Sequence, residues 1–183
     1  DDVRRLDRLI SDISDASRLG AELARAESTR VDLVALLETL VDIHRTTSEK
    51  HLRFEFEAAE RFSIPGIEDR IGQVMRNLIA NAISFSPENG RIGVSVRRVG
   101  TQAEVVFEDE GPGIPEEKRE AVFDRFYSER PAGEAFSTHS GLGLSISRQI
   151  IDAHGGSIRV ENRHGPGGGI QGARFIVTLP AEG

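Results

Sequence analysis

At 183 residues, with 38% hydrophobic and 29% charged side chains, the chain is long enough for one well-buried domain plus an appendage, and its composition is globular, not disordered. The absence of cysteine removes disulfides, thiolate metal sites and cysteine nucleophiles, and fits a reducing, cytoplasmic setting. A formal net charge of -7 opposes attraction to nucleic acid or anionic lipid, no apolar run approaches the roughly 18 residues that span a bilayer, and the acidic first residues are unlike a signal peptide.

From Asp1 to about Glu27 the sequence is charged and free of proline, with Val3, Leu6, Ile10 and Ile13 alternately three and four apart, continued by Ser17 and Gly20. This spacing predicts one long helix with an apolar seam, which Leu9, Ala16 and Leu23 widen beyond what a helix alone in water needs. A helical partner is expected to cover it; packing against its own domain is the alternative. The pattern is under way at Asp1 with no capping sequence ahead of it, so the helix is expected to be cut from something longer.

A mixed domain is expected to follow. Val31 begins a short element, Leu33, Leu36, Leu37, Leu40 and Val41 follow a helical period, and Arg53 to Glu57 alternates as a strand with Phe54 and Phe56 on one face. Pro65 and Gly66 break the chain before a helix that holds Asn77 and Asn81. Ile92, Val94 and Val96, then Val105 and Phe107, read as a hairpin turned near Gly100. Ile158 to Glu161 and Ala173 to Leu179 read as a last pair of strands, joined by the Gly165 to Gly169 loop. The fold class expected is α+β: a mixed sheet covered by about three helices on one face, preceded by the long α-helix.

Three clusters carry chemistry. Asn77 and Asn81, four apart, place both amides on one helical face, where neutral oxygens can share a partly hydrated Mg2+ with phosphates. Asp109 ends an alternating strand and opens Asp-Glu-Gly-Pro-Gly-Ile; its carboxylate can accept a hydrogen bond from an exocyclic amine, while Gly111 and Gly113 let the chain turn beside a flat base. Gly141 and Gly143, in Ser-Gly-Leu-Gly-Leu, open an apolar helical run whose first N–H groups can meet phosphate oxygens. Together the three clusters point to ATP with Mg2+. The polar stretch between Tyr127 and Ser140 has no periodicity and its position favours a lid, with Arg130 and His139 as phosphate-facing candidates.

The order Asn-x-x-x-Asn, Asp-Glu-Gly-Pro-Gly-Ile, Phe-Asp-Arg-Phe-Tyr, Ser-Gly-Leu-Gly-Leu-Ser-Ile and His-Gly-Gly resembles the catalytic ATP-binding domain of bacterial two-component sensor histidine kinases. The wording around Ser140 to Ile150 and in the first helix is similar to the ChvG/ExoS/BvrS type. The resemblance implies a two-layer α/β sandwich of the Bergerat (GHKL ATPase) type. It also implies a division into residues 1–27, the second helix of a dimerisation and phosphoacceptor hairpin, and 28–183, the ATP-binding domain with a lid at about 128–140.

By motif, the resemblance implies that Asp109 binds the adenine amine, Asn81 ligates Mg2+ and Asn77 helps hold phosphate. Gly111 and Gly113 would shape the base pocket, Gly141, Leu142 and Gly143 would offer backbone amides to the phosphates, and Phe123, Phe126 and Tyr127 would anchor the lid. Phe123 and Phe126, three apart, also fit a core pair, and His154 fits a turn histidine at a helix end. Members usually carry a basic residue where this chain has Ser84, and often one where it has Ser128; Arg130 is the candidate substitute. Related hydrolases place a glutamate base where this chain has Asn77, so the resemblance implies a domain that holds ATP for transfer, not hydrolysis. The acceptor would lie in a His-Glu-Leu-Lys/Arg-x-Pro sequence, which surrounds none of His44, His51, His139, His154 and His164. Implied partners are a second copy through the first helix and a response regulator, and the parent is expected to sit at the bacterial inner membrane. A non-catalytic regulatory module and an anti-sigma-type serine kinase are the alternatives.

Overall fold

The computed structural model describes residues 2–124 and 143–182, except for the side chains of residues 5, 8, 12 and 15–17. The long helix forms as α1, Asp2–Arg25. Its row Val3, Leu6, Ile10 and Ile13 stands 72%, 57%, 56% and 45% exposed, whereas Leu19 is buried. The row is thus open to solvent, and α1 is packed instead at Leu19, on a different face.

β1 (Thr29–Asp32) leads into α2 (Leu33–Thr47), whose N-terminus is capped by the Asp32 carboxylate accepting from the Ala35 N–H at 3.0 Å. β2 (Arg53–Ala58), β3 (Ser63–Gly66), α3 (Glu68–Phe85), β4 (Arg91–Val99) and β5 (Gln102–Glu108) follow. After short 3-10 turns at Glu116–Lys118 and Ala121–Phe123 come α4 (Gly143–Ala153), β6 (Ser157–His164) and β7 (Ile170–Pro180).

Five strands form one sheet in the order β2-β4-β5-β7-β6, with β2 parallel to β4 and the other pairs antiparallel. The sheet is therefore mixed, as the sequence predicts. One difference concerns Pro65 and Gly66, which the sequence presents only as a break. They end β3, which pairs antiparallel with β1 in a separate two-stranded ribbon that sets Val31 against Ile64. Proline, which has no N–H to donate, is tolerated in an edge strand such as this one at a position whose N–H side faces away from the partner.

Alternation along the strands separates the two faces. The register aligns Val94, Phe107, Phe175 and Val160 across β4, β5, β7 and β6, and all four are buried. Ile71, Val74, Met75, Leu78 and Ile79 of α3, Leu37 and Val41 of α2, and Ile150 and Ile151 of α4 belong to the same core. The other face is a lattice of charges: Arg97 pairs with Glu104 at 2.8 Å, and Arg174 with Glu108 at 3.2 Å and Glu161 at 3.1 Å. Burying one large aliphatic or aromatic side chain is worth about 1.5–3 kcal/mol, against about 0–1 kcal/mol for an exposed ion pair. The helix-covered face accordingly holds the fold together.

Candidate nucleotide site

α3 carries both asparagines and is fixed to α4 at two points. Near its middle, Asn77 Nδ2 donates to Gly143 O and to Ser147 Oγ, each at 3.3 Å, while Ser147 Oγ donates to Gly143 O at 2.7 Å. At its start, no side chain caps Ile67; the Ile67 N–H instead donates to His154 Nε2 at 3.1 Å. The other ring nitrogen, Nδ1, lies 2.7 Å from Ile150 O, so the proton belongs on Nδ1 and the ring is neutral in this arrangement. His154 closes the end of α4 onto the start of α3, the position the sequence suggests for it.

Asn81 lies one turn beyond Asn77, 4% exposed, and its Nδ2 has no hydrogen-bond partner among the described residues. Leaving a buried polar group unpaired costs about 1–3 kcal/mol. The oxygen and nitrogen ends of an amide exchange by a half-turn. The site therefore fits a ligand that supplies either an acceptor to the nitrogen or a cation to the oxygen. Ser84, near the C-terminal end of α3, is buried. A lysine from elsewhere reaches the same helix end: Lys50 Nζ donates to the carbonyls of Ile83, Ser84 and Ser86 at 2.9, 3.1 and 3.0 Å. It cancels the partial negative charge of the α3 C-terminus.

Asp109 follows β5, 2% exposed. Its Oδ1 accepts from the Ala173 N–H at 3.0 Å and the Gly111 N–H at 2.9 Å. Among the described residues nothing donates to Oδ2, which leaves an acceptor for an exocyclic amine. Burial pushes the carboxyl above the ordinary aspartate range, against the lowering effects of the two N–H bonds and the nearby Arg163 charge. The loop that follows is tightly seated. A Cβ on Gly111 would meet Phe85 O at 2.7 Å, and Gly113, with φ +77, would meet Ile170 Cγ2 at 2.5 Å.

Of the residues singled out in the sequence, the structure brings Asn77 against Gly143 and seats Asp109, Gly111 and Gly113 in one loop. Phe123 is buried at an edge-to-face contact with Phe175, 6.2 Å between centroids, and the Arg148 guanidinium lies 4.8 Å from its ring centre. It packs as a core residue here. Phe126, Tyr127, Ser128, Arg130, His139, Gly141 and Leu142, with the expected lid at 128–140, lie outside the described residues. Sequence reasoning missed Lys50, Ser147, Asn162 and Arg163, which act through tertiary bonds that no local motif announces. On the charged face of the sheet, a cavity of about 450 Å³ lies among Glu57, Arg97, Glu104 and Arg174, and none of the motif residues lines it.

A mixed sheet with three helices on one face, carrying an unsatisfied amide and a buried carboxylate, is the layout of an ATP-binding domain. Residues 66–183 match the family described as histidine kinase-, DNA gyrase B-, and HSP90-like ATPase, and the chain belongs to it. It is 54% identical over 189 residues to the sensor protein ChvG of Rhizobium meliloti (strain 1021), covering 98% of this chain and 33% of that protein. The mycobacterial sensor histidine kinase MprB superposes with a TM-score of 0.74 at 30% identity, over 85% of this chain and 98% of the other. Histidine kinase ThkA in complex with response regulator protein TrrA gives a TM-score of 0.71 at 30% identity, over 94% of this chain and 48% of that one. The chain is thus an ATP-binding catalytic domain of the histidine kinase kind, and spans about a third of the ChvG proteins it matches. Among the described residues, no helix is long and apolar enough to cross a membrane.

Proposed function

We propose that this domain binds Mg-ATP and that its parent transfers the γ-phosphoryl group to a histidine on a helix outside this chain, for relay to a response regulator. The observation that carries this reading is the buried Asn81 amide nitrogen, without a partner among the described residues and one turn from Asn77 on α3, with Asp109 buried at the end of β5. Asp109 Oδ2 accepts from the adenine amine while Oδ1 stays bound to Ala173 and Gly111. Asn81 turns its amide oxygen to Mg2+, and Asn77 holds phosphate while tied to Gly143 at the head of α4. The bound Mg2+ supplies charge neutralisation of the phosphates. Gly141, Leu142 and Gly143 would add backbone N–H donors, Tyr127 would anchor the lid, and Arg130 would be its phosphate-facing cation.

Asn77 decides between transfer and hydrolysis. An amide cannot take a proton from water at neutral pH, so α3 holds the nucleotide without activating water beside it. The acceptor histidine nitrogen forms the bond to phosphorus as the bond to the β,γ-bridging oxygen breaks, and ADP leaves with that electron pair. The complex of histidine kinase ThkA with response regulator protein TrrA supports a response regulator as the next acceptor.

Calorimetric titration with Mg2+ and a non-hydrolysable ATP analogue tests the site. The native chain is expected to bind in the micromolar to submillimolar range. Asp109→Asn is expected to lose at least about 100-fold, because it points an N–H donor at the adenine amine and removes a hydrogen bond to a charged acceptor. Absence of binding by the native chain would overturn the proposal. Labelled ATP should leave the chain unlabelled, and acid-labile phosphate on it would refute the external acceptor.

The exposed Val3, Leu6, Ile10 and Ile13 row supports a homodimer through α1, read as the second helix of a dimerisation hairpin. Sedimentation should show concentration-dependent association, weakened by Ile10→Asp; a strict monomer at high concentration would refute it. We propose, from the resemblance to sensor histidine kinases, a parent anchored in the inner membrane with this domain on the cytoplasmic side. Recovery of the intact parent from the soluble fraction would contradict that placement.

A further inference from the structure

We infer that Asn162 is the positioning residue that fixes the purine-discriminating loop, gripping it from β6 without touching the nucleotide. This rests on the nucleotide reading of Asp109. The loop between Asp109 and Ile114 holds two glycines and pays maximal entropy to adopt one shape, so something outside it must impose that shape.

Both ends of the loop are held by consecutive residues of β6. Asn162, 8% exposed, accepts the Ile114 N–H on Oδ1 at 2.7 Å and donates from Nδ2 to Ile114 O at 2.7 Å. One side chain thus pairs both backbone groups of one residue, as a neighbouring strand would. Arg163 leaves the opposite face of β6 and donates from Nη1 to Asp109 O at 2.7 Å, while its Nε pairs with Glu108 at 3.0 Å. Asn162 stands opposite Ala173 in the ladder, and it is the Ala173 N–H that binds Asp109 Oδ1. The Asn162 amide also packs on the loop itself: a Cβ at Gly113 would lie 2.7 Å from its Oδ1. β6 therefore sets the path of the segment that carries Gly111 and Gly113 past the base, and with it the angle at which Asp109 Oδ2 meets the purine 6-position.

The test compares ADP, whose 6-amino group donates and whose N1 accepts, with inosine diphosphate, whose 6-oxo group accepts and whose N1 carries a proton, so that the edge Asp109 reads is inverted. Titrations use the whole chain with Mg2+, on the native protein, Asn162→Ala, the isosteric Asn162→Asp and Asp109→Asn. The native protein is expected to prefer ADP. Asn162→Ala is expected to weaken ADP about tenfold, the scale of two buried hydrogen bonds, while inosine diphosphate changes much less, so that the preference collapses. A residue that merely stabilises the fold would weaken both ligands alike, and that result, or an unchanged ratio, overturns the proposal. Asn162→Asp leaves no void and repels Ile114 O, so it should give the same collapse if the alanine variant folds poorly. The Ile114 amide of the native protein should exchange slowly with solvent; fast exchange overturns the clamp without any variant. A native protein indifferent to the 6-position, or an Asp109→Asn variant that keeps the preference, refutes the reading of Asp109 and the clamp with it.

Discussion

The two ends of the proposed nucleotide site are built in different ways. At the base end, Asp109 already has two N–H donors on one oxygen and a guanidinium on its carbonyl, and the loop beyond it is tied to β6. At the phosphate end, the buried Asn81 Nδ2 has no partner among the described residues and Asn77 is held by two bonds of 3.3 Å. The sheet ladder organises the first wall before any ligand arrives. The second wall consists of helix side chains and leaves a polar group unsatisfied, a standing cost of about 1–3 kcal/mol that a ligand can remove. Rigid recognition of the base and ligand-completed binding of the phosphates are therefore separable properties of one pocket.

Asn81→Ala probes that separation most sharply. Because the amide lacks a partner in the nucleotide-free protein, its loss should move the unfolding free energy by less than about 1 kcal/mol, whereas Mg-nucleotide affinity should fall about 100-fold. Thermal unfolding with and without Mg-nucleotide reads both at once. A large destabilisation with binding retained would break the comparison, since Asn81 would then be part of the scaffold. Gly113→Ala should behave in the opposite manner. Its positive φ and the contact with Ile170 should cost about 1–2 kcal/mol in the nucleotide-free protein and reduce affinity about tenfold. Unchanged stability would mean that the base wall is less preformed than its bonds imply.

The smallest expected effect is one of pH. Burial raises the Asp109 pKa, so the folded protein holds this proton more tightly than the unfolded chain does. Its contribution to stability is complete below the ordinary aspartate range and is lost as pH rises through the raised value. Nucleotide binding has the opposite sign, because the acceptor must be ionised: affinity should decline a few-fold, about two- to fivefold, as pH falls toward that raised value. Asp109→Asn should flatten the stability profile. A native affinity that improves on acidification would sink this assignment.

The sequence revealed these parts unequally, and the reasons are physical. Asn77 and Asn81 are legible because helical spacing alone puts residues four apart on one face, and Asp109 because an alternating strand ends where a glycine-rich turn begins. Phe107 and Val94 are legible as core because period-two alternation survives without knowing the partner strand. β3 was hidden because Ser-Ile-Pro-Gly carries turn residues, and only its pairing with β1 makes it a strand. Asn162 was hidden for a related reason: in Val-Glu-Asn-Arg it is an ordinary polar residue, and its role exists only because Ile114, 48 positions earlier, lies beside it. Lys50 likewise has meaning only through the carbonyls at the end of α3. Local pattern reports faces and turns; long-range bonds between single side chains and distant backbone leave no periodic trace.

The double attachment of α3 to α4 has a mechanical consequence. Asn77 ties the two helices near the head of α4 and His154 near its tail, so neither can slide along the other without breaking one of these bonds. α1 rests on this pair, with Leu19 buried beside α4 and Glu22 ion-paired to Arg70 of α3. A displacement of α1 would therefore be passed to α3 and α4 as one unit, and with them to Asn77 and Asn81 together.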